Sequence, residues 1–300
     1  MVRKIIYLLN PISGTKKKEK VKDLIIRKTR AEGIEFKILP SRADGQYDDL
    51  RGMIKKEKIT DVVICGGDGT LNAVANALQG VPVNIGIIPI GSGNSLAFAA
   101  RIPKQTTRAL DIIFNGTASP VDAFHINEKF SCALCGIGFD AEVAHEFAKQ
   151  KTRGLQTYLR ISTMKFFKSR PYPFEIKLND RIIKTDAYFI SIANSNQFGN
   201  NVTIAPRASM SDGLLDIVIV RKMNKMILPF SVLLQVAGGN RLMQALEFFE
   251  EKNIIYVQTD KISIRNPSCA PMHIDGEPTD TSAEFKISII PHCFKLIQPV

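Results

Sequence analysis

The chain has 300 residues, 45% of them hydrophobic, with mean hydropathy at zero and a formal net charge of +11. That length supports about two domains with sizeable cores, and the composition excludes a low-complexity or membrane-embedded protein. The charge surplus is shared, with 19 basic and 12 acidic side chains in residues 1–122 and 21 and 17 in the rest, so it suits an anionic partner without forming a basic tail.

The amino terminus, Met1-Val2-Arg3-Lys4-Ile5, runs straight into an apolar strand and shows no signal peptide. The longest uncharged apolar stretch, Met226 to Gly239, is too short to span a bilayer and contains Pro229. A cytoplasmic protein is expected. Five cysteines (65, 132, 135, 269 and 293) are scattered. Cys132-Ala-Leu-Cys135 lies in a strand-like run, where positions three apart face opposite ways, so neither a metal nor a redox pair is expected.

Taken in order, Ile5–Leu9 reads as a strand that ends at Asn10-Pro-Ile-Ser13-Gly14-Thr15, followed by a helix over 16–30. Phe36–Leu39 is a strand and 48–58 a helix. Val62–Cys65 is a buried strand, followed by Gly66-Gly67-Asp68-Gly69-Thr70 and a helix with Leu71, Val74, Ala75 and Leu78 on one stripe. Asn84–Ile90 leads to Gly91-Ser92-Gly93-Asn94 and a further helix. Strand–helix alternation through residue 120 predicts a doubly wound parallel sheet. In such sheets the turns at the strand carboxyl ends share one edge.

The glycine-rich strand–helix turn points backbone N–H groups and a helix dipole at one spot, which favours phosphate. Asp68 would repel such a ligand unless a bridging divalent cation or a substrate hydroxyl compensates it. Both remedies point to phosphoryl transfer. A surface Asp serving as a helix cap is the plainer alternative.

Beyond residue 122 the texture changes to short alternating runs at 123–126, 130–135, 174–178, 188–193, 215–220, 261–265 and 285–290. Turns such as Ser211-Asp212-Gly213 separate them. A β-rich second domain over 123–300 is expected, interrupted by helices at 141–168 and 226–249, with the last ten or so residues able to return to the first domain. Between Lys149 and Lys184 ten basic residues face only Glu175 and Asp180. Aromatic and apolar residues interleave with Arg160, Lys165 and Lys168. Such a helix can lie on an anionic bilayer or pack its apolar face on the sheet. No aromatic platform or helix-turn-helix pattern speaks for nucleic acid.

The motifs Asn10-Pro-x-Ser-Gly14, Gly66-Gly-Asp-Gly-Thr70, Gly91-Ser-Gly-Asn94, Gly136-Ile-Gly-Phe-Asp140, Asn194-Ser, Asp212-Gly-Leu-Leu-Asp216 and Asp275-Gly-Glu-Pro278 occur in this order. Together they resemble the diacylglycerol kinase catalytic-domain family, whose members include bacterial lipid kinases and sphingosine and ceramide kinases, with NAD kinases as distant relatives. The resemblance implies an ATP- and magnesium-dependent kinase acting on the hydroxyl of a membrane lipid, diacylglycerol first. It further implies that Asn10, Ser13, Gly14, Gly66, Gly67, Asp68, Gly69, Thr70, Gly91, Ser92 and Asn94 hold ATP, with Asp68 at the magnesium and phosphate end. Asp275 would be the general base and Glu277 would lie close to nucleotide or metal. Asp212 with the carbonyls of Ser209 and Leu214 would hold a structural magnesium. Asp140 and Glu142 open a helix, where acids are favourable as caps; a role towards the lipid head is the alternative. The chain reads Gly-Ser-Gly-Asn-Ser where many bacterial members read G-T-x-N-D, a departure towards the sphingosine and ceramide kinase pattern. A sphingoid base or ceramide therefore stays open as acceptor. So do an NAD-kinase-like soluble kinase, a non-catalytic nucleotide binder and a homodimeric state.

Overall fold

The computed structural model describes residues 2–9, 15–42, 44–150, 155–178, 181–197, 203–221 and 253–300. The expected helix at 226–249 and the first glycine-bearing turn (10–14) lie outside them. The chain forms two compact units, Met1–Val121 with His292–Val300, and Asp122–Pro291.

The first unit is an α/β layer of β1 (Lys4–Leu9), α1 (Thr15–Ala31), β2 (Glu35–Pro40), α2 (Asp48–Glu57), β3 (Asp61–Gly66), α3 (Asp68–Ala77), β4 (Asn84–Pro89), α4 (Ser95–Ala99) and α5 (Thr106–Asn115). Its strands run parallel in the order β2-β1-β3-β4, as the strand–helix alternation predicts. β3 is buried along its whole length, the mark of a strand covered on both faces. At its amino end the carboxylate of Asp61, 1% exposed, takes Arg3 at 2.8 Å, Thr60 Oγ1 at 2.7 Å and Asn84 Nδ2 at 3.0 Å. That acid is structural. The strand's other end opens into the Gly66–Thr70 turn.

The second unit holds β5 (Thr117–Ile126), whose first residues belong to the first unit, then β6 (Lys129–Ser131), β7 (Leu134–Gly138), α6 (Phe139–Ala148), α7 (Leu155–Lys168), β8 (Tyr172–Leu178) and β9 (Arg181–Ala193). There follow β10 (Leu215–Arg221), β11 (Ile254–Thr259), β12 (Lys261–Arg265), β13 (Met272–Ile274), β14 (Glu277–Thr279) and β15 (Glu284–Gln298). β9 is the hinge of this sandwich. Its first half pairs with β8 and its second with β7 and β10, all antiparallel. One core gathers Phe124, Ile137, Ile176, Ile190, Ile217, Ile264 and Phe285. The other, beneath α6 and α7, gathers Phe139, Val143, Ile161, Phe166, Tyr188 and Val218, with the Phe139 and Phe166 rings edge to face at 5.3 Å.

The single helix expected over 141–168 is two helices, because the polar run after Ala148 offers no apolar stripe to bury. β15 passes the expected end at Ile290, continues through Pro291, and its tail lies parallel to β4 within the first unit, Lys295 beside Asn84. Gly116 permits this close approach: a Cβ there would sit 2.3 Å from the Gln298 carbonyl oxygen.

Candidate active site

In the first unit two glycine-bearing turns touch backbone to backbone. The Gly66 carbonyl accepts the N–H groups of Ile90 (3.1 Å) and Gly91 (3.3 Å). A Cβ on Gly91 would come within 2.4 Å of the Gly67 Cα, so residue 91 needs to be glycine for this contact, and one on Gly67 would be tight at 3.1 Å from the Gly91 Cα. Asn94 closes the second turn on itself in a left-handed conformation (φ 57°). Its Oδ1 accepts from Gly91 N–H at 2.9 Å and its Nδ2 donates to Gly91 O at 2.8 Å. At 2% exposed, Asn94 shapes the loop that the exposed Ser92 tips.

Asp68 opens α3 and joins the two turns, its Oδ1 accepting the Ser95 N–H at 2.7 Å. The carboxylate therefore caps a neighbouring helix while standing at the positive end of its own. Gly67 caps α3 with no side chain, leaving first-turn N–H groups for a phosphate. Gly66 is buried, Thr70 half-buried beside it and Gly69 exposed. N–H donors beside one carboxylate suit a phosphate–magnesium pair, the ion offsetting the acid that would otherwise repel the phosphate. Asn10, Ser13 and Gly14 lie outside the described residues.

In the second unit Asp275 and Gly276 form the two-residue loop of the β13–β14 hairpin, Ile274 facing Glu277, with φ +49° and +83°. That is the primed turn that matches strand twist. Yet the carboxylate of Asp275 turns inward and is 7% exposed. Its Oδ1 accepts from Ser131 Oγ (2.8 Å), Ala133 N–H (3.2 Å) and Leu134 N–H (2.9 Å), and its own N–H donates to Leu134 O at 2.8 Å. Three donors thus converge on Oδ1 and fix the orientation of the carboxylate. Glu277 is exposed at the start of β14.

Asp140 stands in the first turn of α6, 5% exposed. Its Oδ1 accepts the Ala141 N–H at 2.8 Å, and its Oδ2 lies 3.4 Å from Nε2 of the fully buried His273. Nδ1 of that histidine accepts the Gly276 N–H at 3.2 Å. Glu142, half-buried, accepts the Tyr172 hydroxyl; burial and that carboxylate push the phenol well above its usual range. Burial, then the fields of Asp140 and Asp275, likewise raise the Cys135 thiol far from reactivity.

A model of the diacylglycerol kinase catalytic domain matches residues 4–126, and one of the YegS C-terminal NAD kinase beta sandwich-like domain matches residues 133–298. The chain belongs to the diacylglycerol kinase and YegS lipid kinase family. It is 25% identical over 279 residues to a diacylglycerol kinase of Bacillus subtilis (strain 168), covering 91% of this chain and 89% of that one. It is 27% identical over 250 residues to a "Probable lipid kinase YegS-like" of Shewanella frigidimarina (81% and 78%). The crystal structure of a diacylglycerol kinase from Bacillus anthracis str. Sterne shares its fold, with a TM-score of 0.71 at 18% identity over 99% of this chain and 97% of that one.

The loop expected to hold a second magnesium in this lipid kinase family member runs through Ser209 and Asp212, both exposed, to Leu214. Asp212 Oδ1 accepts the Leu214 N–H at 3.1 Å. Among the described residues no three His, Cys, Asp or Glu side chains cluster as a metal site. A cation here would rest on one carboxylate plus carbonyl oxygens, a donor set that fits magnesium's preference for oxygen. Sequence reading missed the acid that shapes this loop. Asp122, fully buried, donates its N–H to Met210 O at 2.7 Å and accepts the Gly213 N–H on Oδ2 at 2.8 Å. It missed His273 as well. Asp122 is the one acid of β5 and His273 the one polar residue of β13, and the partners that give them meaning, Met210 and Gly213 for Asp122 and Asp140 for His273, lie far along the chain.

Proposed function

We propose that the protein is an ATP- and magnesium-dependent kinase that phosphorylates the hydroxyl of a membrane lipid, diacylglycerol first. The supporting observation is the carboxylate of Asp275, buried in a hairpin loop whose local chemistry would otherwise leave it in solvent. The acceptor hydroxyl oxygen bonds to the γ-phosphorus, the bond from that phosphorus to the ADP leaving oxygen breaks, and the hydroxyl proton passes to Asp275. A loose transition state asks little of the base, so the proton moves late and positioning supplies most of the acceleration. The Gly66–Thr70 and Gly91–Asn94 turns hold the triphosphate, and Asp68 faces its metal-bearing end. Magnesium, when bound, neutralises charge on the transferred group.

Ser95 stands where many family members carry an aspartate. Its N–H serves Asp68 and it adds no carboxylate, which keeps a sphingoid base or ceramide as the second reading of the acceptor. Incubation with labelled ATP and a total lipid extract, followed by identification of the labelled product, decides between them. Diacylglycerol phosphate is the expected product. Label in sphingoid or ceramide phosphate selects the second reading, and no labelled lipid rejects both.

Lipid kinases meet their acceptor at a bilayer, and α7 is suited to that surface. Its outward stripe carries Arg160, Met164 (63% exposed), Phe167 (50% exposed) and Lys168. Two cations flanking two exposed apolar side chains fit an anionic leaflet. No helix among the described residues is long and apolar enough to cross a membrane.

A further inference from the structure

His273, Gly136 and Ser191 lie in one register row across β13, β7 and β9, and α6 covers the same face. Opposite a buried histidine most residues would project a side chain. Here the position is glycine, and a Cβ on Gly136 would fall 1.9 Å from Asp140 Oδ2 and 2.4 Å from His273 Nε2. The space that residue 136 leaves is where Asp140 and His273 face one another.

The other ring nitrogen fixes the protonation. Gly276 donates its N–H to Nδ1, so Nδ1 carries no proton and the imidazole proton sits on Nε2, the nitrogen that lies 3.4 Å from Asp140 Oδ2. A carboxylate opposite one ring nitrogen selects this tautomer. The reverse tautomer would set the Nδ1–H against the Gly276 N–H, donor against donor, and release the loop that carries Asp275.

We propose that Asp140 and His273 are positioning residues for Asp275. The acid fixes the tautomer of the histidine, the histidine pins Gly276, and Gly276 sets the turn from which Asp275 addresses the acceptor hydroxyl. Asp140 thus acts through His273 and does not touch the lipid. At 3.4 Å the carboxylate oxygen is within electrostatic reach of Nε2, short of a formed hydrogen bond. The last link rests on the reading of Asp275 as base; the first two do not.

Three measurements on the full chain test this. Nitrogen NMR of the histidine rings is expected to show His273 neutral with its proton on Nε2; a ring protonated at Nδ1, or at both nitrogens, overturns the proposal. In Asp140→Ala the Gly276 amide should exchange about tenfold faster, and unchanged exchange overturns it too. With the acceptor found by lipid labelling, Asp140→Ala should lower kcat about 10- to 100-fold, the range for supporting residues that orient a first partner, with lipid KM within about twofold. Asp140→Asn, whose amide oxygen can still accept from Nε2–H, should recover most of the loss. A raised lipid KM with unchanged kcat would make Asp140 a substrate contact and sink the idea. Should tautomer and exchange behave as stated while Asp275→Asn keeps full activity, the base assignment fails and the pinning of the turn stands.

Discussion

The second unit contains two Asp-Gly pairs, and they part company. Asp212-Gly213 and Asp275-Gly276 both place glycine at positive φ, +73° and +83°, as turn chemistry requires. Asp212 is exposed and its carboxylate folds onto its own turn, accepting from Leu214. Asp275 is buried, and its carboxylate takes donors from residues 131, 133 and 134, some 140 positions earlier. The dipeptide decides that there is a turn. A distant strand decides whether the carboxylate is a solvated cap or a built-in group. Asp68 belongs with Asp275, since its donor, Ser95, comes from another turn.

If that division is sound, the sharpest difference lies between the built-in acids and the exposed one. Asp275→Asn is expected to lower turnover by about 10²- to 10⁴-fold, the range for a positioned acid–base group, with ATP affinity within about twofold. Steady-state rates paired with nucleotide binding read this out, and equal losses in both would return Asp275 to the class of ordinary turns. Asp68→Ala should cost about 10²- to 10³-fold in turnover, as for loss of one group aimed at developing charge. It also strips an acceptor from Ser95 N–H, a capping loss of about 0.5–2 kcal/mol, so the melting temperature should fall while the circular dichroism spectrum stays native. Unchanged turnover would make Asp68 a cap and nothing more.

Gly91→Ala probes the glycine contact that brings Asp68 its partner. The added methyl meets Gly67 backbone at 2.4 Å, which cannot yield as a flexible side chain does. Overpacking of about 1–3 kcal/mol should appear as a roughly 10- to 100-fold weaker affinity for a non-hydrolysable ATP analogue by calorimetry. Intact affinity would show that the two turns need not touch. For α7, Arg160→Glu with Lys168→Glu should weaken binding to anionic vesicles by about tenfold or more, at about 1 kcal/mol per basic residue, and leave activity on detergent-dispersed lipid unchanged. Lys165 is omitted because it lies 3.6 Å from Glu146 and its reversal would disturb α6. Equal losses in both formats would reject the bilayer-facing helix.

What could be read beforehand follows the same division. The α/β alternation and the glycine turn after β3 were legible, because apolar runs and glycine spacing are local signals. The β-rich character of the second unit was legible from its alternating runs. β11 was not, since its residues are half-buried and mimic no clean alternation. Nor was the long path of β15, where Pro291 reads as a strand end. Asp122 and His273 were illegible for a deeper reason. A lone acid or histidine in a strand acquires meaning only from partners brought by the fold: Met210 and Gly213 for the one, Asp140 for the other.

The smallest expected effect falls on the exposed member of the pair. In Asp212→Asn the amide oxygen can accept from Leu214 N–H as the carboxylate does, so the turn survives and only charge is lost. Without divalent ions the change should stay within about 0.5 kcal/mol, as for surface substitutions generally. Magnesium is the discriminating variable. If Asp212 and the carbonyls of Ser209 and Leu214 hold the ion, the wild-type melting temperature climbs with magnesium according to ligand linkage. The Asn variant should lose most of that climb, because one anionic ligand is all the side-chain charge those three residues supply. Turnover at saturating magnesium should be the same in both proteins, as expected of a structural ion. A wild-type melting temperature indifferent to magnesium would leave Asp212 a turn residue, the complement of what its twin at 275 has become.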